Sequence, residues 1–577
     1  MLRYGIRELT FKDGSTEDLP IQGLTVVVGP NNAGKSALLR EINMAVLNGV
    51  IYPQQSLWLR AIAADREKDE AKFDEWFSRI GRHLPSWVAQ ANNFDFGIYD
   101  PNGQQLLSRD GARAQWFQDS HLGALARHVV VHLEALARGG IPLAAAARDP
   151  LATAFEPIHK LWDDRALEKS FSGMVKRAFG FEICLNRFAQ QQKLLIGSVK
   201  SEEETLPPSR ELMEAYARLQ SIEEQGDGVK SFVGILLTTI ASDMPLVLID
   251  EPEAFLHPPQ ARLLGKFLVE KTPSDGQVIV ATHSSDVIEG ILDSKGGKEV
   301  KILRLSIDSS GRRVRNPLSA ARVANLWSDP LLRYSRMLDG LFQRGVVLCE
   351  SDGDCRFYSA CLDVHLSGQI EHDLHLTHTN GKARLAKALR ELRAFDVQAA
   401  VIADIDLLND KVLMRDIVDA ANEDWALYEA DLDSLLNEMK NRAAGATVRE
   451  LKVAVREVLR RRDDSSITDA ESSAIAKAVK NKSGWSEIKR AGLASLTGEP
   501  RLAANRLIGN LEKAGIFVVP VGELERWFPD VNAGHGPSFV TAALEAGAHN
   551  SPTGELSNFM AKLVNYFGID HEASSKE

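Results

Sequence analysis

The segment GPNNAGKS at residues 29–36 constrains the fold of this chain more than any other, because it belongs between a strand and a helix. The apolar run LTVVV precedes it and the helical pattern ALLREINMAVL follows it. In such a loop the glycines let backbone N–H groups approach a phosphate chain, the lysine reaches the β- and γ-phosphates, and the serine ligates Mg²⁺. A glycine-rich turn capped by a lysine is the alternative, and the flanking elements argue against it. The predicted nucleotide-binding residues of this loop are Gly29, Asn31, Asn32, Gly34, Lys35 and Ser36.

Two later apolar runs end in the polar groups that hydrolysis of a nucleoside triphosphate requires. In MPLVLIDEPEAFLHP (244–258), Asp250 would hold Mg²⁺ and Glu251 would polarise the attacking water. In QVIVATHSSD (277–286), His283 would touch the γ-phosphate. Each run alone is compatible with a core strand that has a polar end. Three such segments in this order predict an ATP site.

The spacing of these motifs narrows the class of ATPase. Lys35 and Asp250 lie 215 residues apart, which excludes a compact kinase or GTPase. Between them, EEQGDGVKSFVGILLTTIA (223–241) opens a helix at Gly226 and Gly228. At this point the chain resembles the ABC-type ATPases of the SMC and RecF kind, whose nucleotide-binding domain is split and whose signature helix precedes the Asp–Glu strand. In that family the signature of one subunit closes on the ATP of another, so the resemblance implies a homodimer or higher homo-oligomer through the ATPase domain.

Two details of the family pattern are less clear in this chain. Gln225 stands where family members often have Ser, although Lys230 follows in the opening turn of the helix. The glutamine of the Q-loop would be Gln54 or Gln55.

Composition bounds the remaining possibilities. A chain of 577 residues predicts two to four domains. It has no apolar run approaching 18 residues, and MLRYGIRELTFKDG lacks the apolar core of a signal peptide, so we expect a cytoplasmic protein without membrane association. The four cysteines form no CxxC pair, which indicates reduced thiols. A net charge of −11 argues against a generally basic nucleic-acid coat, but a local groove or bound metal ions would still allow nucleic-acid binding.

The segments between the ATP motifs are mostly helical in pattern at 57–90 and 104–175. Residues 94–108 and 181–199 are typical of hairpins. No sustained heptad run appears, which excludes a long-armed SMC protein. The helical insertion at about 104–180 would either dimerise or pack on the core.

The second half of the chain places carboxylates after two further apolar strands. GVVLCESDGD (345–354) ends in three acidic residues, and AAVIADIDLLND (399–410) continues into Asp404 and Asp406. Helical patterns alternate with these strands, which predicts a parallel sheet whose carboxyl ends meet at one edge. Adjacent strands lie about 5 Å apart, so Glu350 and Asp404 could share a cation. Oxygen ligands favour Mg²⁺ or Mn²⁺.

A glutamate after one strand and DxD after the next resemble the Toprim domain. A split ABC ATPase followed by Toprim resembles the OLD (overcoming lysogenization defect) family of ATP-dependent nucleases, some of which act in anti-phage systems such as Gabija and certain retrons. The resemblance implies that Glu350 and Asp404 hold one metal ion and that Asp354, Asp406 and a later glutamate hold a second. That glutamate is Glu523 or, as we favour, Glu525 in AGIFVVPVGELERWFPD (514–530).

Three features of the second half qualify the resemblance. Ser351 follows Glu350, where many Toprim proteins have Gly. The lysine that the family uses near the end of the domain would be Lys562, for which a solvated helix lysine is an equal alternative. The charged segment 410–512 looks like a helical insertion; its arginines at 460–462 either contact phosphates or, as we favour, lie on a solvated face.

Together these patterns predict an α/β protein: a split ABC-type ATPase domain at 1–335, followed by a Rossmann-like Toprim domain at 340–577 with helical insertions. With the resemblance, they predict an ATP-binding, metal-dependent DNA endonuclease. The family resemblance alone implies a role in anti-phage defence, with a helicase subunit or a reverse transcriptase as partner. A RecF-like mediator that binds DNA without cutting it, or a nuclease acting on RNA such as tRNA, are the alternatives. The patterns do not predict whether ATP activates or restrains cleavage.

Overall fold

The computed structural model describes residues 2–84, 86–99, 106–118, 122–135, 143–148, 154, 156–199, 207–294, 299–307, 313–319, 336–366, 373–442, 448–460, 466–479 and 484–569. It divides the chain into two compact units, Met1–Trp327 and Ser328–Glu577. Each unit has its own buried core. None of the described helices is long and apolar enough to cross a membrane. All four cysteines are free thiols, as predicted.

The N-terminal unit is built around a six-stranded sheet. Its strands are β1 Tyr4–Phe11, β2 Thr16–Asp18, β3 Gly23–Val28, β4 Leu59–Arg66, β5 Arg82–His83, β6 Phe96–Tyr99, β7 Leu106–Ser108, β8 Val130–Leu133, β9 Ala144–Ala146, β10 Ile183–Leu185, β11 Gln191–Ile196, β12 Leu246–Asp250, β13 Gln277–Ala281, β14 Glu299–Ile307 and β15 Arg313–Ser319. The main sheet has the order β15-β14-β3-β13-β12-β8 and is parallel except for its edge strand β15. Strands β3, β12 and β13 are buried along their whole length, because helices cover both faces of such a sheet.

The helices of this unit connect the strands and flank the sheet. They are α1 Lys35–Asn48, α2 Glu70–Ile80, α3 Ser86–Asn92, α4 Arg109–Phe117, α5 Pro157–Asp163, α6 Arg165–Phe179, α7 Arg210–Ala217, α8 Asp227–Ala241, α9 Pro258–Glu270 and α10 Ser285–Leu292. Helices α1, α9 and α10 follow β3, β12 and β13, and the predicted site residues lie at the ends of these strands or directly after them, so the sheet fixes where those residues lie.

The mostly helical pattern predicted for 57–90 and 104–175 is interrupted, outside the predicted hairpins, by four described strands: β4, β5, β8 and β9. Residues 59–66 form β4, which pairs with β1, and residues 130–133 form β8 at the edge of the main sheet. Short apolar runs of this length suit a strand or a buried helix equally well, and pairing with a distant strand decides between them. The two predicted hairpins are confirmed where the structure describes them: β6 pairs with β7 and β10 with β11, both antiparallel. Residues 100–105 of the first hairpin lie outside the described residues.

The C-terminal unit contains a four-stranded sheet, β16 Gly345–Cys349, β17 Leu374–His378, β18 Gln398–Ala403 and β19 Ile516–Val518. The strand order is β17-β16-β18-β19 and every pair is parallel, as predicted. Its helices are α11 Asp352–His365, α12 Leu385–Ala394, α13 Lys411–Ala420, α14 Ala426–Arg442, α15 Val448–Val458, α16 Asp469–Val479, α17 Gly484–Ala491, α18 Gly498–Lys513, α19 Pro537–Glu545 and α20 Gly554–Tyr566. The described residues of segment 410–512 are mainly helical, and this segment enters the chain between the adjacent strands β18 and β19.

Helices α9 and α10 pack at backbone distance through two glycines. A Cβ atom at Gly290 would overlap the carbonyl oxygen of Arg262, and one at Gly265 would overlap that of Val287. This contact fixes the spacing of the two helices that follow Asp250 and His283.

We expect Gly290→Ala to destabilise the protein by about 1–3 kcal/mol, because the added methyl group overpacks this contact. Gly173→Ala on the exposed face of α6 is the matched control, since a Cβ there meets no atom within 4 Å. The control should stabilise by up to about 1 kcal/mol, because alanine favours the helix. Urea denaturation measures both changes, and a stabilising effect of Gly290→Ala would contradict the packing argument.

Candidate functional site

The predicted nucleotide loop has the backbone that binding of a phosphate chain requires. Gly29, Asn32 and Gly34 all have positive φ, at 145°, 63° and 90°. At Gly29 a Cβ atom would also overlap the carbonyl oxygen of Leu305 on β14, so only glycine fits there. The Lys35 ammonium donates to the carbonyl oxygens of Gly29 (2.8 Å) and Pro30 (3.0 Å) and therefore lies across the loop. Asn31 lies at the exposed tip.

Strand β12 brings Asp250 to this loop. The Ser36 hydroxyl donates to the Asp250 carboxylate over 3.0 Å, although the two residues are 214 positions apart in sequence. Burial is the main reason that the pKa of Asp250 is raised, and the neighbouring charge of Glu251 raises it further. A hydroxyl and a carboxylate side by side at a phosphate-binding loop are a fitting pair of ligands for Mg²⁺. The structure thus brings together the two predicted ligands, and their binding of Mg²⁺ stays a prediction.

Glu251 and His283 also come together, through a residue that the sequence analysis missed. The imidazole Nδ1 of His283 lies 3.6 Å from the Glu251 carboxylate and 3.2 Å from that of Glu253. Glu253 accepts hydrogen bonds from the hydroxyl of Thr282 (2.8 Å) and the backbone N–H of His283 (2.9 Å). Burial raises the pKa of Glu253. Glu253 therefore positions the histidine loop, and the second glutamate of the segment DEPE was the sequence signal for it.

The predicted signature lies against the loop that follows Glu251. Gly226 caps the N-terminus of α8, and a Cβ atom at Gly228 would overlap the carbonyl oxygen of Phe255. Phe255 has φ 68° and is 58% exposed, so it presents a large apolar side chain beside the signature. Gln54 and Gln55 are both exposed in the turn before β4.

The second group of predicted residues converges at the carboxyl edge of the C-terminal sheet. Strands β16 and β18 are adjacent and parallel, so the residues that follow them meet. The backbone N–H of Asp404 lies 3.4 Å from a carboxylate oxygen of Glu350. Burial is the main cause that raises the pKa of Glu350 to about 7 and that of Asp404 to about 8, and the repulsion between neighbouring carboxylates adds to both shifts.

Ser351 and Asp354 begin the helix that follows Glu350. The Ser351 hydroxyl accepts from the backbone N–H of Asp354 (3.3 Å), and the Asp354 carboxylate accepts from the backbone N–H of Ser351 (2.9 Å). This reciprocal cap explains how serine is accommodated at the position where Toprim proteins often have glycine. Burial raises the pKa of Asp354, with a further contribution from Glu525.

Two lysines that the sequence analysis missed neutralise Asp406. Lys382 lies 3.3 Å from it and Lys489 lies 2.8 Å from it. Lys382 follows β17 in a loop whose Gly381 N–H donates to the Glu350 carbonyl oxygen over 2.8 Å. Lys489 comes from α17 of the helical segment and also reaches Glu523 at 3.4 Å. Neither lysine could be assigned from sequence, because only tertiary packing brings them to this edge.

The predicted second set of metal ligands does not form as expected. Glu523, Glu525 and His535 bring three ligand atoms within 4.8 Å of one another, and no other trio of acidic, histidine or cysteine residues in the described part of the chain does so. The predicted ligands Asp354, Asp406 and Glu523 or Glu525 are not grouped in this way, and their binding of a second ion stays a prediction. The reason is competition: Asp354 caps α11, Asp406 pairs with lysines, and Glu525 accepts from the Gly536 N–H over 2.8 Å.

The ion pair of Lys562 is with a helix residue and not with the carboxylates that follow β16 and β18. Its ammonium lies 2.8 Å from Glu512, so it links α20 to α18 in an ion pair. The alternative prediction, a solvated helix lysine, describes Lys562 better, because 44% of its side chain is accessible to solvent. Arg460 lies on an exposed surface near Glu457, at 3.5 Å, while the arginines at 461 and 462 lie outside the described residues.

Comparison with known proteins supports the ATPase assignment. Residues 132–289 match the family model described as an AAA domain, putative AbiEii toxin, type IV toxin–antitoxin system. The chain is 27% identical to the Old nuclease of Escherichia phage P2 over 179 residues, which cover 29% of each protein. Among solved structures, it is similar to an SMC head bound to the C-terminal winged-helix domain of ScpA (13% identity, TM-score 0.32) and to the SMC head domain from Thermotoga maritima (14%, 0.27); each alignment covers 55% of this chain and 99% of the other. The chain thus contains an ATPase domain and is similar in part to the Old nuclease.

We expect Glu251→Gln to slow ATP hydrolysis by about 10²-fold or more while ATP binding is retained. The amide keeps the size of the side chain but cannot accept a proton from the attacking water. Lys35→Ala is the comparison, since it should abolish binding itself. Hydrolysis is measured by phosphate release and binding by equilibrium titration; wild-type turnover in Glu251→Gln would show that another group activates the water.

The raised pKa of Asp404 predicts how stability depends on pH. Because the folded pKa of about 8 exceeds the ordinary value of 3.8, the folded state holds more protons between these values, and stability falls as pH rises through that window. At pH 8 in EDTA, Asp404→Asn should raise the melting temperature by about 2–4 °C, as expected for about 1 kcal/mol. Mg²⁺ should stabilise the wild type but not this variant.

Asp352→Asn is the control for this measurement, because Asp352 is exposed and pairs with Arg356. It should leave the pH slope unchanged. Equal slopes in the wild type and in Asp404→Asn would mean that Asp404 carries no buried charge.

Proposed function

We propose that this protein is an ATP-dependent nuclease that cleaves DNA phosphodiesters with Mg²⁺ or Mn²⁺ in its C-terminal unit. The single observation that carries the proposal is the meeting of Glu350 and Asp404 at one sheet edge, where their pKa values are raised to about 7 and about 8. Two carboxylates held in this way repel each other unless a cation lies between them. The parallel sheet, with acidic residues after β16 and β18, fits a Toprim-like domain.

The residues present fit a divalent ion. Glu350 and Asp404 supply only oxygen atoms, the donors that Mg²⁺ and Mn²⁺ prefer. Glu523, Glu525 and His535 form a neighbouring trio that would complete the metal-binding edge. When bound, such ions lower the pKa of water and stabilise the leaving oxygen of a phosphodiester. The chain itself contributes the rigid edge, and the Gly381 N–H bond to Glu350 holds the Lys382 loop beside it.

The ATPase domain would control this cleavage. Ser36 and Asp250, which share a hydrogen bond, would bind Mg·ATP, and Glu251 and His283, which lie 3.6 Å apart, would act in its hydrolysis. The signature residues Gly226, which is exposed, and Gly228, which is partly exposed, would meet the nucleotide of a second copy, so that ATP closes a homodimer or higher oligomer. A role in anti-phage defence, with a helicase subunit or a reverse transcriptase as partner, belongs to this proposal through family resemblance; the genes beside its own would test it.

Purified protein incubated with supercoiled plasmid and Mg²⁺ or Mn²⁺ tests the nuclease. Glu350→Gln and Asp404→Asn should each reduce nicking by about 10³-fold or more, since each removes a charge that would hold the ion. Asp352→Asn lies two residues from Glu350 but is exposed, so it should cleave like the wild type.

Parallel reactions with and without ATP report the direction of control. Reactions on single-stranded DNA and total tRNA separate a DNA nuclease from one that acts on RNA. Binding of DNA without any cleavage, unchanged in Asp404→Asn, would instead favour a RecF-like mediator.

A further inference from the structure

The acidic edge of the C-terminal unit contains a cation supplied by the chain itself. The Lys489 ammonium lies between Asp406 (2.8 Å) and Glu523 (3.4 Å), two carboxylates that follow different strands of the sheet. Lys489 belongs to α17, in the segment that enters between β18 and β19. Glu523 also belongs to the trio with Glu525 and His535. The ammonium thus lies where the acidic residues that follow β18 and β19 would otherwise face each other.

The position of Lys489 is fixed by backbone packing. Gly522 has φ 114°, and a Cβ atom there would overlap the carbonyl oxygen of Lys489. On the next turn, the Leu493 N–H donates to the Pro520 carbonyl oxygen over 2.9 Å. The carbonyl oxygen of Gly522 in turn accepts from the N–H of Ile405, beside Asp406 (3.0 Å). One short loop therefore connects α17 directly to the acidic edge.

We propose that Lys489 is a tethered competitor for a second divalent ion at Asp406 and Glu523, so that docking of α17 determines how many ions the acidic edge holds. An ammonium and a divalent ion require the same carboxylate oxygens and cannot occupy them together. With α17 docked, the edge retains Glu350 and Asp404 for one ion. When Lys489 withdraws, Asp406 and Glu523 become available, beside Glu525, to a second ion. This inference rests on the proposed metal-dependent function and specifies its regulation.

Titration of the full-length protein with Mn²⁺, followed by calorimetry and by the EPR signal of free Mn²⁺, tests the competition without relying on activity. The wild type should bind one ion tightly at the acidic edge, and Asp404→Asn should lose that ion, which identifies its site. Because the ATP site also has carboxylates, all variants are compared in an Asp250→Asn background, which removes the contribution of that site. Lys489→Met should add a second ion with an apparent affinity at least 10-fold tighter than any second site in the wild type. Lys489→Arg, which keeps the charge, should behave like the wild type.

A second test of the competition is Gly522→Ala, and Arg490→Met and Gly498→Ala are the controls. Arg490→Met removes a charge from an exposed position on the same helix and should leave the stoichiometry unchanged. Gly522→Ala should displace α17 and add the second ion without changing Lys489. Gly498→Ala also replaces a glycine of positive φ (63°), but a Cβ there meets no atom within 4 Å, so it reports backbone strain alone.

The outcomes are distinct. If Lys489→Met and Gly522→Ala both keep the wild-type stoichiometry, Lys489 is an ordinary ion-pair residue and the inference is overturned, while the nuclease proposal stands. If no variant binds Mn²⁺ at the acidic edge and Asp404→Asn changes nothing, the metal-dependent function itself fails.

Discussion

Repulsion among carboxylates at the end of a parallel sheet is the constraint on which the C-terminal unit depends. Parallel strands end at one edge, so the acidic residues after β16 and β18 are brought together by the same packing that buries the strands. Burial at this edge, together with the repulsion between neighbouring carboxylates, raises the pKa of Glu350 to about 7 and that of Asp404 to about 8. A divalent cation bound at this edge, as we propose, would offset the cost of gathering these carboxylates.

The fold relieves the repulsion unequally. Asp406 is neutralised by Lys382 and Lys489, and Asp354 accepts a backbone N–H, whereas Glu350 and Asp404 mainly face other carboxylates. Glu350 and Asp404, the proposed ligands of an ion, therefore differ from Asp406, whose charge the chain's own lysines already balance. One of those lysines, Lys489, belongs to α17 in the helical segment between β18 and β19.

The N-terminal unit uses the same strand-end geometry for a different purpose. Strands β3, β12 and β13 deliver a phosphate-binding loop, Asp250 and the His283 loop to one edge of the main sheet. Here the positive φ angles of Gly29 and Asn32 orient backbone N–H groups, and Glu253 holds the histidine loop. A loop rich in backbone N–H groups suits a polyanion, and an edge rich in carboxylates suits a cation. Both candidate sites therefore lie at the ends of parallel strands, but they suit ligands of opposite charge.

The sequence by itself determined the local structure: which runs are buried strands, which polar residues follow them, and that GPNNAGKS connects a strand to a helix. Hydrophobic pattern and glycine spacing are local properties, and strands β3, β12, β16 and β18 were predicted from them. Tertiary structure alone decided that 59–66 and 130–133 are strands, that Lys562 pairs with Glu512, and that Lys382 and Lys489 reach Asp406. Those outcomes depend on partners that are distant in sequence, because strand pairing and ion pairing are set by which surfaces meet, and no local pattern records that.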